Sequence, residues 1–207
     1  MRGSALLCSA LALAFVAPAA AAAQSPQTTT QTPEPSETAA APSASGTGGL
    51  EYGVDPTAPP RVLVPGTKAV RLPTGFAAAP AEAPVAVQAA VFAANEIVGK
   101  PYRYGGGHNR KFKDSGYDCS GTVSYAFRAA GLLKSPLDSG SFMRWGKRGK
   151  GKWITVYANP GHAYTVIAGL RLDTSAAGEK VSSGRGPRWR SNARKQSGFV
   201  ARHAKRF

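Results

Sequence analysis

The chain has 207 residues and a formal net charge of +15, with 26 Lys and Arg residues against 11 Asp and Glu residues. Its two cysteines and three histidines are scattered along the sequence. A metal site needs clustered ligands, so this spacing argues against one, and we expect neither a metal nor another cofactor.

The N-terminal residues have the composition of an export signal. Arg2 supplies a positive charge, residues 5–16 form an uncharged apolar stretch, and residues 21–23 are small alanines suited to cleavage. The apolar stretch is shorter than the about 20 residues that span a bilayer. The sequence thus predicts a signal peptide at 1–23 and a secreted protein of the cell wall or envelope. The alternative is an uncleaved N-terminal anchor.

Export and cleavage of the signal peptide change the number of cysteines in the mature protein. Cys8 lies inside the apolar stretch and leaves with the signal peptide, so the mature chain keeps one thiol, Cys119. Exported proteins usually pair their cysteines, and an unpaired one indicates a reactive or catalytic thiol. The alternative is an inert buried thiol, because free cysteine packs as a small hydrophobic residue.

Residues 24–82 are rich in Pro, Ala, Thr and Ser and poor in large apolar side chains. Such a segment cannot bury enough surface to offset chain entropy, so we predict a largely disordered linker. Within it, residues 61–79 are ambiguous, because their valines could form short strands broken by Pro65 and Pro73. The folded domain is predicted at 83–207.

Hydrophobic periodicity divides this domain into two parts. Apolar residues at helical spacing predict a helix from Pro84 to a stop at Gly99, a second helix over 119–130 and a short third one over 139–145. The period then changes to two, which predicts strands at 153–158, 162–168, 170–174 and 199–202. Helices followed by antiparallel strands indicate an α+β fold.

The position of Cys119 at a helix start favours thiol chemistry. Unpaired N–H groups and the helix dipole stabilise a thiolate there, and the same N–H groups can receive an oxyanion. Asp118 suits the N-cap, and Gly121 keeps the first turn accessible to a substrate.

A histidine is the expected base. His108 lies in a Gly-rich loop and His203 in the basic tail, and both are predicted to be merely solvated. His162 opens a strand directly after the turn at 159–161. A strand histidine alone is more often structural, but its pairing with a lone exported thiol favours the role of a base.

Asp173 is the candidate third residue. If the turn at 168–169 is a two-residue hairpin, Asp173 faces Tyr164 and lies diagonally from His162 on one face of the sheet. A change of one residue in the turn would move it to the other face. The alternative is an ion pair with Arg171 or with the basic tail.

Three ordered blocks, PYRYGGG, YDCSG and GHAYTVIAG, resemble the NlpC-type family of bacterial peptidoglycan endopeptidases. The resemblance implies a compact papain-like fold, in which a helix that begins at the nucleophile packs on an antiparallel sheet. It implies Cys119 as nucleophile and His162 as general base. It also implies that Tyr102 lines the oxyanion region, and that Asp118 and Ser120 help to hold a free amino group of the stem peptide.

The sequence departs from the family pattern in three places. The third catalytic residue of relatives is usually histidine, asparagine or glutamine, one position beyond Asp173. The apolar strand that precedes the base histidine in the family is replaced by residues 152–157. The loop between Gly107 and Cys119 is longer than usual and basic.

We therefore expect a monomeric peptidoglycan hydrolase that cleaves stem peptides after D-glutamate, at diaminopimelate or lysine. An N-acetylmuramoyl-L-alanine amidase on the same fold, and a non-catalytic wall-binding protein on a decayed hydrolase scaffold, are the alternatives. From Arg144 onward, fifteen Lys or Arg residues stand against Asp173 and Glu179. We expect this basic region to attract anionic wall polymers, while export and the lack of an aromatic–basic motif argue against nucleic acid.

Overall fold

The computed structural model describes residues 58–179, 184–192 and 194–206. The predicted signal peptide and residues 24–57 of the predicted linker lie outside these ranges. Within them, no helix combines the length and the apolar character that crossing a membrane requires.

A small three-stranded sheet precedes the first helix and consists of β1 (Leu63–Val64), β2 (Val70–Arg71) and β3 (Ala77–Pro80). The middle strand is β3, which runs parallel to β1 and antiparallel to β2. The three alanines of β3 are fully buried. This corrects the predicted start of the folded domain at residue 83, because these strands lie in the segment assigned to the linker. Two-residue strands have no readable period.

Two of the three helices follow the predicted bounds closely. Helix α1 (Val85–Ile97) and helix α2 (Cys119–Ala129) each bury one stripe of apolar residues. Gly99 (φ 93°) and Gly131 (φ 68°) follow the helix ends in the left-handed region, where glycine has no Cβ penalty. Helix α3 (Ser139–Phe142) is shorter than predicted.

The main sheet has six strands in the order β4-β9-β5-β6-β7-β8, and every neighbouring pair is antiparallel. The strands are β4 (Lys147–Arg148), β5 (Ile154–Asn159), β6 (His162–Ile167), β7 (Leu170–Asp173), β8 (Arg188–Arg190) and β9 (Val200–His203). Strands β5, β6, β7 and β9 were predicted, while β4 and β8 were not. The mixed α+β class is confirmed. The segment that departs from the family pattern before His162 still forms a strand, β5.

The β6–β7 hairpin has the predicted two-residue turn. Ala168 (φ 47°) and Gly169 (φ 85°) both lie in the left-handed region, as such a turn requires. Ile167 pairs with Leu170, and the register continues regularly to the pair of Thr165 with Leu172. Asp173 follows Leu172 at the end of β7, and its side chain meets that of His162, so the two residues lie on the same face of the sheet.

The core lies between the two long helices and the main sheet. Helix α2 packs against α1 on one side and against β6 and β7 on the other. Its Val123, Ala126 and Phe127 are fully buried. Burying a side chain of the size of Phe127 contributes about 1.5–3 kcal/mol, so this stripe fixes the start of α2 against the sheet.

Candidate active site

Cys119 lies in the first turn of α2 and is almost completely buried. Cys119 is the first residue of the helix and is 8% exposed. Asp118 is the N-cap, as predicted, and its Oδ1 accepts a hydrogen bond from the Gly121 N–H at 2.7 Å. A Cβ at Gly121 would overlap the carbonyl oxygen of Gly106. Glycine at this position therefore lets the preceding loop lie directly on the helix start.

That loop brings Tyr102 beside the thiol. The Asp118 N–H donates to the Gly106 carbonyl at 3.2 Å, and the Gly105 N–H donates to Asp118 Oδ2 at 3.0 Å. Tyr102 forms an isolated bridge with Tyr117 and keeps 39% of its surface exposed. Burial and then the nearby charge of Cys119 raise the pKa of the Tyr102 phenol. The Tyr102 phenol is thus within electrostatic range of the thiol and accessible to a ligand.

The thiol is paired with His162, the first residue of β6. Burial raises the pKa of Cys119, but the hydrogen bonds with the His162 ring and the Ala163 N–H, together with the charge of His162, outweigh it. The net effect lowers the pKa of the thiol. The inert-thiol alternative is not favoured by these contacts, because an inert buried thiol has its pKa raised.

The other side of the His162 ring meets Asp173 at the end of β7. His162 Nε2 lies 2.9 Å from Asp173 Oδ1. A carboxylate only accepts hydrogen bonds, so Nε2 carries a hydrogen and Nδ1 is the nitrogen left for the thiol. Burial lowers the pKa of His162, but the hydrogen bonds to Asp173 and Cys119 raise it more, to about 9.

The two interpretations of Asp173 turn out to describe one arrangement. Its side chain is fully buried, and Oδ1 accepts from His162 and from the Ser175 N–H at 2.9 Å. Oδ2 accepts from Arg194 Nη1 at 2.9 Å, and Arg171 Nε lies 3.7 Å away. Asp173 thus orients the imidazole and also forms the ion pairs with Arg171 and the tail.

His108 is a site residue that the sequence analysis missed. Its Nε2 lies 3.0 Å from Asp118 Oδ1 and 3.2 Å from Ser120 Oγ. The hydrogen bond with Asp118, opposed by burial, raises the pKa of His108. The predicted solvated position is wrong, and the available signal was its place directly after Gly107, in the loop that contacts Asp118. His203 lies away from this cluster, in β9, with Nδ1 3.1 Å from the Gly149 carbonyl oxygen.

The contacts of His108 bear on the roles predicted for Asp118 and Ser120. Oδ1 of Asp118 receives Gly121 N–H, His108 Nε2 and the Ser120 hydroxyl at 3.2 Å, and Oδ2 receives Gly105 N–H. Both residues are buried. They fix the loop onto the helix start, and a substrate amine would have to displace His108 to reach them.

A groove of about 390 Å³ opens beside His162. Its lining includes Tyr102, His162, Thr174, Ser175, Ala176 and Arg185. Arg185 is exposed, and no ion pair within the described ranges involves it. The groove therefore offers a hydroxyl, small side chains and one accessible cation next to the thiol–imidazole pair. Throughout the part of the chain that the structure describes, no cluster of three or more His, Cys, Asp or Glu side chains is arranged to hold a metal.

A comparison with known protein families found a match over part of the chain. The model of the NlpC/P60 family matches residues 99–152, which include Tyr102, the loop on the helix start and Cys119. The match confirms, over these residues, the resemblance that the sequence blocks indicated. It ends before His162 and Asp173. A comparison with curated proteins found no match.

Proposed function

We propose that this NlpC/P60-type chain is a secreted cysteine peptidase that cleaves peptidoglycan stem peptides after D-glutamate, at a diaminopimelate or lysine residue. The observation that carries the proposal is the hydrogen bond between His162 and Asp173 in a groove beside the start of α2, where the His162 ring lowers the pKa of the Cys119 thiol. A helix that begins at the nucleophile and packs on an antiparallel sheet also supports the papain-like fold expected from the resemblance.

Acylation starts from a thiolate and an imidazolium. The Cys119 thiolate attacks the scissile carbonyl carbon, and N–H groups at the start of α2 other than that of Gly121, which donates to Asp118, stabilise the oxyanion beside Tyr102. His162 then gives its Nδ1 proton to the leaving amine as the C–N bond breaks. The products of this step are a thioester on Cys119, a free amine and a neutral imidazole.

Deacylation reverses the proton transfer. Neutral His162 takes a proton from water, and the resulting hydroxide attacks the thioester carbonyl. The C–S bond breaks, which releases the carboxylic acid product and restores the thiolate–imidazolium pair. Asp173 holds the ring throughout by its hydrogen bond with Nε2.

The substrate class follows from the family and suits the groove. Stem peptides carry several carboxylates, and Arg185 gives the groove an accessible cation beside His162. The contacts around Cys119 disfavour a purely wall-binding protein, because binding alone has no use for a thiol, an imidazole and a carboxylate in line. An amidase would use the same groups on a different bond of the same polymer.

The decisive experiment is digestion of defined muropeptides, with mass analysis of the products. Cleavage between D-glutamate and the third stem residue supports the proposal, and release of the intact stem from the glycan would instead identify an amidase. We expect Cys119→Ala to lower the rate by at least about a hundredfold, because the covalent step is lost. Circular dichroism of the variant checks that the fold is kept. Absence of any product with the wild-type protein would sink the proposal.

Secretion is tested separately. The proposal requires that the exported protein begins near Gln24, after the alanines of the N-terminal segment. Sequencing the N-terminus of protein recovered from the wall fraction measures this directly. Protein found only inside the cell, with Met1 retained, would contradict the export part of the proposal without bearing on the chemistry.

A further inference from the structure

A partly buried cation lies behind Asp173, the third residue of the site. Arg194 follows β8 in sequence, and only 13% of its side chain is exposed. Its Nη1 donates to Asp173 Oδ2 at 2.9 Å, on the carboxylate oxygen opposite the one that meets His162. Arg194 and His162 thus hold the two oxygens of one carboxylate.

Two aromatic rings hold the guanidinium of Arg194 in place. Its central carbon lies 5.0 Å from the ring centre of Tyr164 and 4.9 Å from that of Phe199. The same two rings each lie 6.3 Å from the His162 ring, and they contact each other edge to face at 5.2 Å. One aromatic cluster therefore fixes both the imidazole and the cation that flank Asp173.

The carboxylate needs a cation in this position. Asp173 has no exposed side-chain surface, and an ionised carboxylate is costly to bury unless it is paired and hydrogen-bonded. Arg171 is also fully buried, but its Nε is 3.7 Å away, and its nitrogens form no hydrogen bond within the described part of the chain. Arg194 is thus the guanidinium that bonds Asp173 and sets the plane of its carboxylate.

We propose that Arg194 is a positioning residue for the hydrolysis reaction: it fixes Asp173, and through Asp173 it fixes the orientation of His162 towards Cys119. The inference rests on the proposed function for its kinetic consequence, but the alignment of the thiol–imidazole pair can be measured without a substrate. The alternative is that Arg194 only stabilises the fold of the C-terminal segment.

The first measurement uses alkylation of Cys119 by iodoacetamide as a function of pH. Loss of Arg194 removes a nearby positive charge and loosens the imidazolium, and both changes stabilise the thiolate less, so the midpoint for Arg194→Met should rise above the wild-type value. Arg194→Lys keeps the charge without the planar fork and should fall between the two. Lys195→Met is the matched control, because Lys195 is the neighbouring exposed cation and should leave the midpoint unchanged.

The second measurement is a double-mutant cycle with Asp173→Asn on a defined muropeptide. Arg194→Met should lower kcat about tenfold or more with little change in KM, the size expected for one lost hydrogen bond to a charged group. In the Asp173→Asn background it should cause little further loss, since its effect passes through Asp173. If Arg194→Met does not fold, Arg194→Lys is carried through the same cycle.

The outcomes separate the two proposals. Equal losses in both backgrounds, or an alkylation midpoint equal to that of Lys195→Met, would overturn the positioning role even if the enzyme is active. A shifted midpoint together with no muropeptide cleavage by the wild type would uphold the positioning of the thiol–imidazole pair and reject the proposed substrate.

Discussion

The surroundings of Cys119 and His162 determine which of the two side chains carries the proton. Burial works against charge on both groups, yet their mutual hydrogen bond and the contact of His162 with Asp173 favour the charged pair. The pKa of the thiol is lowered and that of the imidazole is raised to about 9. Both directions favour a thiolate and an imidazolium, which is the form that begins acylation.

The pH dependence of kcat/KM should show a window in which this form is present. Activity should fall on the acid side as the thiolate is protonated, and on the basic side near pH 9 as the imidazolium loses the proton that the leaving amine needs. The measurement is kcat/KM on a defined muropeptide over a pH series. An activated ester with the same acyl group is the control, because its leaving group needs no proton and its basic limb should flatten. A basic limb at the ordinary histidine value of about 6.5 would contradict the raised pKa.

At the scale of secondary-structure elements, the side chain of Asn95 connects three elements that are separated in sequence: α1, β3 and β8. Its Nδ2 donates to the Ala77 carbonyl at 2.8 Å, and its Oδ1 accepts from the Ala77 N–H at 2.9 Å and from Trp189 Nε1 at 2.8 Å. Asn95 is only 1% exposed. This one side chain therefore joins β3 and β8 to the helix, and β8 follows the segment that forms the groove.

We expect Asn95→Ala to lower the free energy of unfolding by about 3 kcal/mol or more, because three buried polar groups lose their partner. Denaturant unfolding measures the change. Gln88→Ala is the matched control: Gln88 Nε2 donates to three backbone carbonyls, of Pro80, Ala81 and Ala83, in a partly exposed position where water can replace it. A loss for Asn95→Ala no larger than that for Gln88→Ala would show that water reaches this position.

The elements that sequence could predict are those with a period. The stripes of α1 and α2 and the alternation of β5, β6 and β7 were readable, and the hairpin turn then determined which residues of β7 face His162. Strands of two or three residues, such as β4 and β8, have no period to read. The position of β9 between β4 and β5 depends on contacts between distant parts of the chain, which local patterns do not encode.

Because local patterns do not encode distant contacts, only some residues of the site could be predicted from the sequence. Cys119, His162 and Asp173 were identified because a helix start, a strand start and a hairpin register fix their directions locally. Arg194 was counted in the basic region expected to attract wall polymers, because nothing near it in sequence indicates that it bonds Asp173. His108 was missed for a related reason: the packing of its loop depends on Gly121, whose missing side chain admits the loop only in three dimensions.

At the scale of the whole molecule, the positive charge is distributed differently from the sequence expectation. Arg171 and Arg190 are buried, and Arg194 is bound to Asp173, so these tail cations are not a free surface. One group of accessible cations lies in and around the edge strand β4, and we call it the basic edge: Arg144, Lys147, Arg148, Lys150 and Lys152. None of them takes part in an ion pair within the described ranges.

Because its cations are accessible and lie close together in sequence, the basic edge should contribute strongly to the attraction to anionic wall polymers. Exposed charges act over a Debye length of about 10 Å at 0.1 M salt, so binding to intact sacculi should weaken as ionic strength rises. Lys147→Gln, Arg148→Gln and Lys150→Gln together should reduce sacculus binding at low salt and flatten its salt dependence. Turnover of a short stem peptide should stay near the wild-type value, because its recognition rests on contacts around Cys119.

The matched control keeps the charge and changes only the side chains, with Lys147→Arg, Arg148→Lys and Lys150→Arg. Co-sedimentation with sacculi across a salt series, beside peptide turnover, compares the three proteins. Charges on an edge strand also prevent pairing with other strands, which is the competing explanation for the basic edge. If the neutral variant binds sacculi as the wild type does but aggregates, this competing explanation is correct, because the charges then protect the edge of the sheet and contribute nothing to wall affinity.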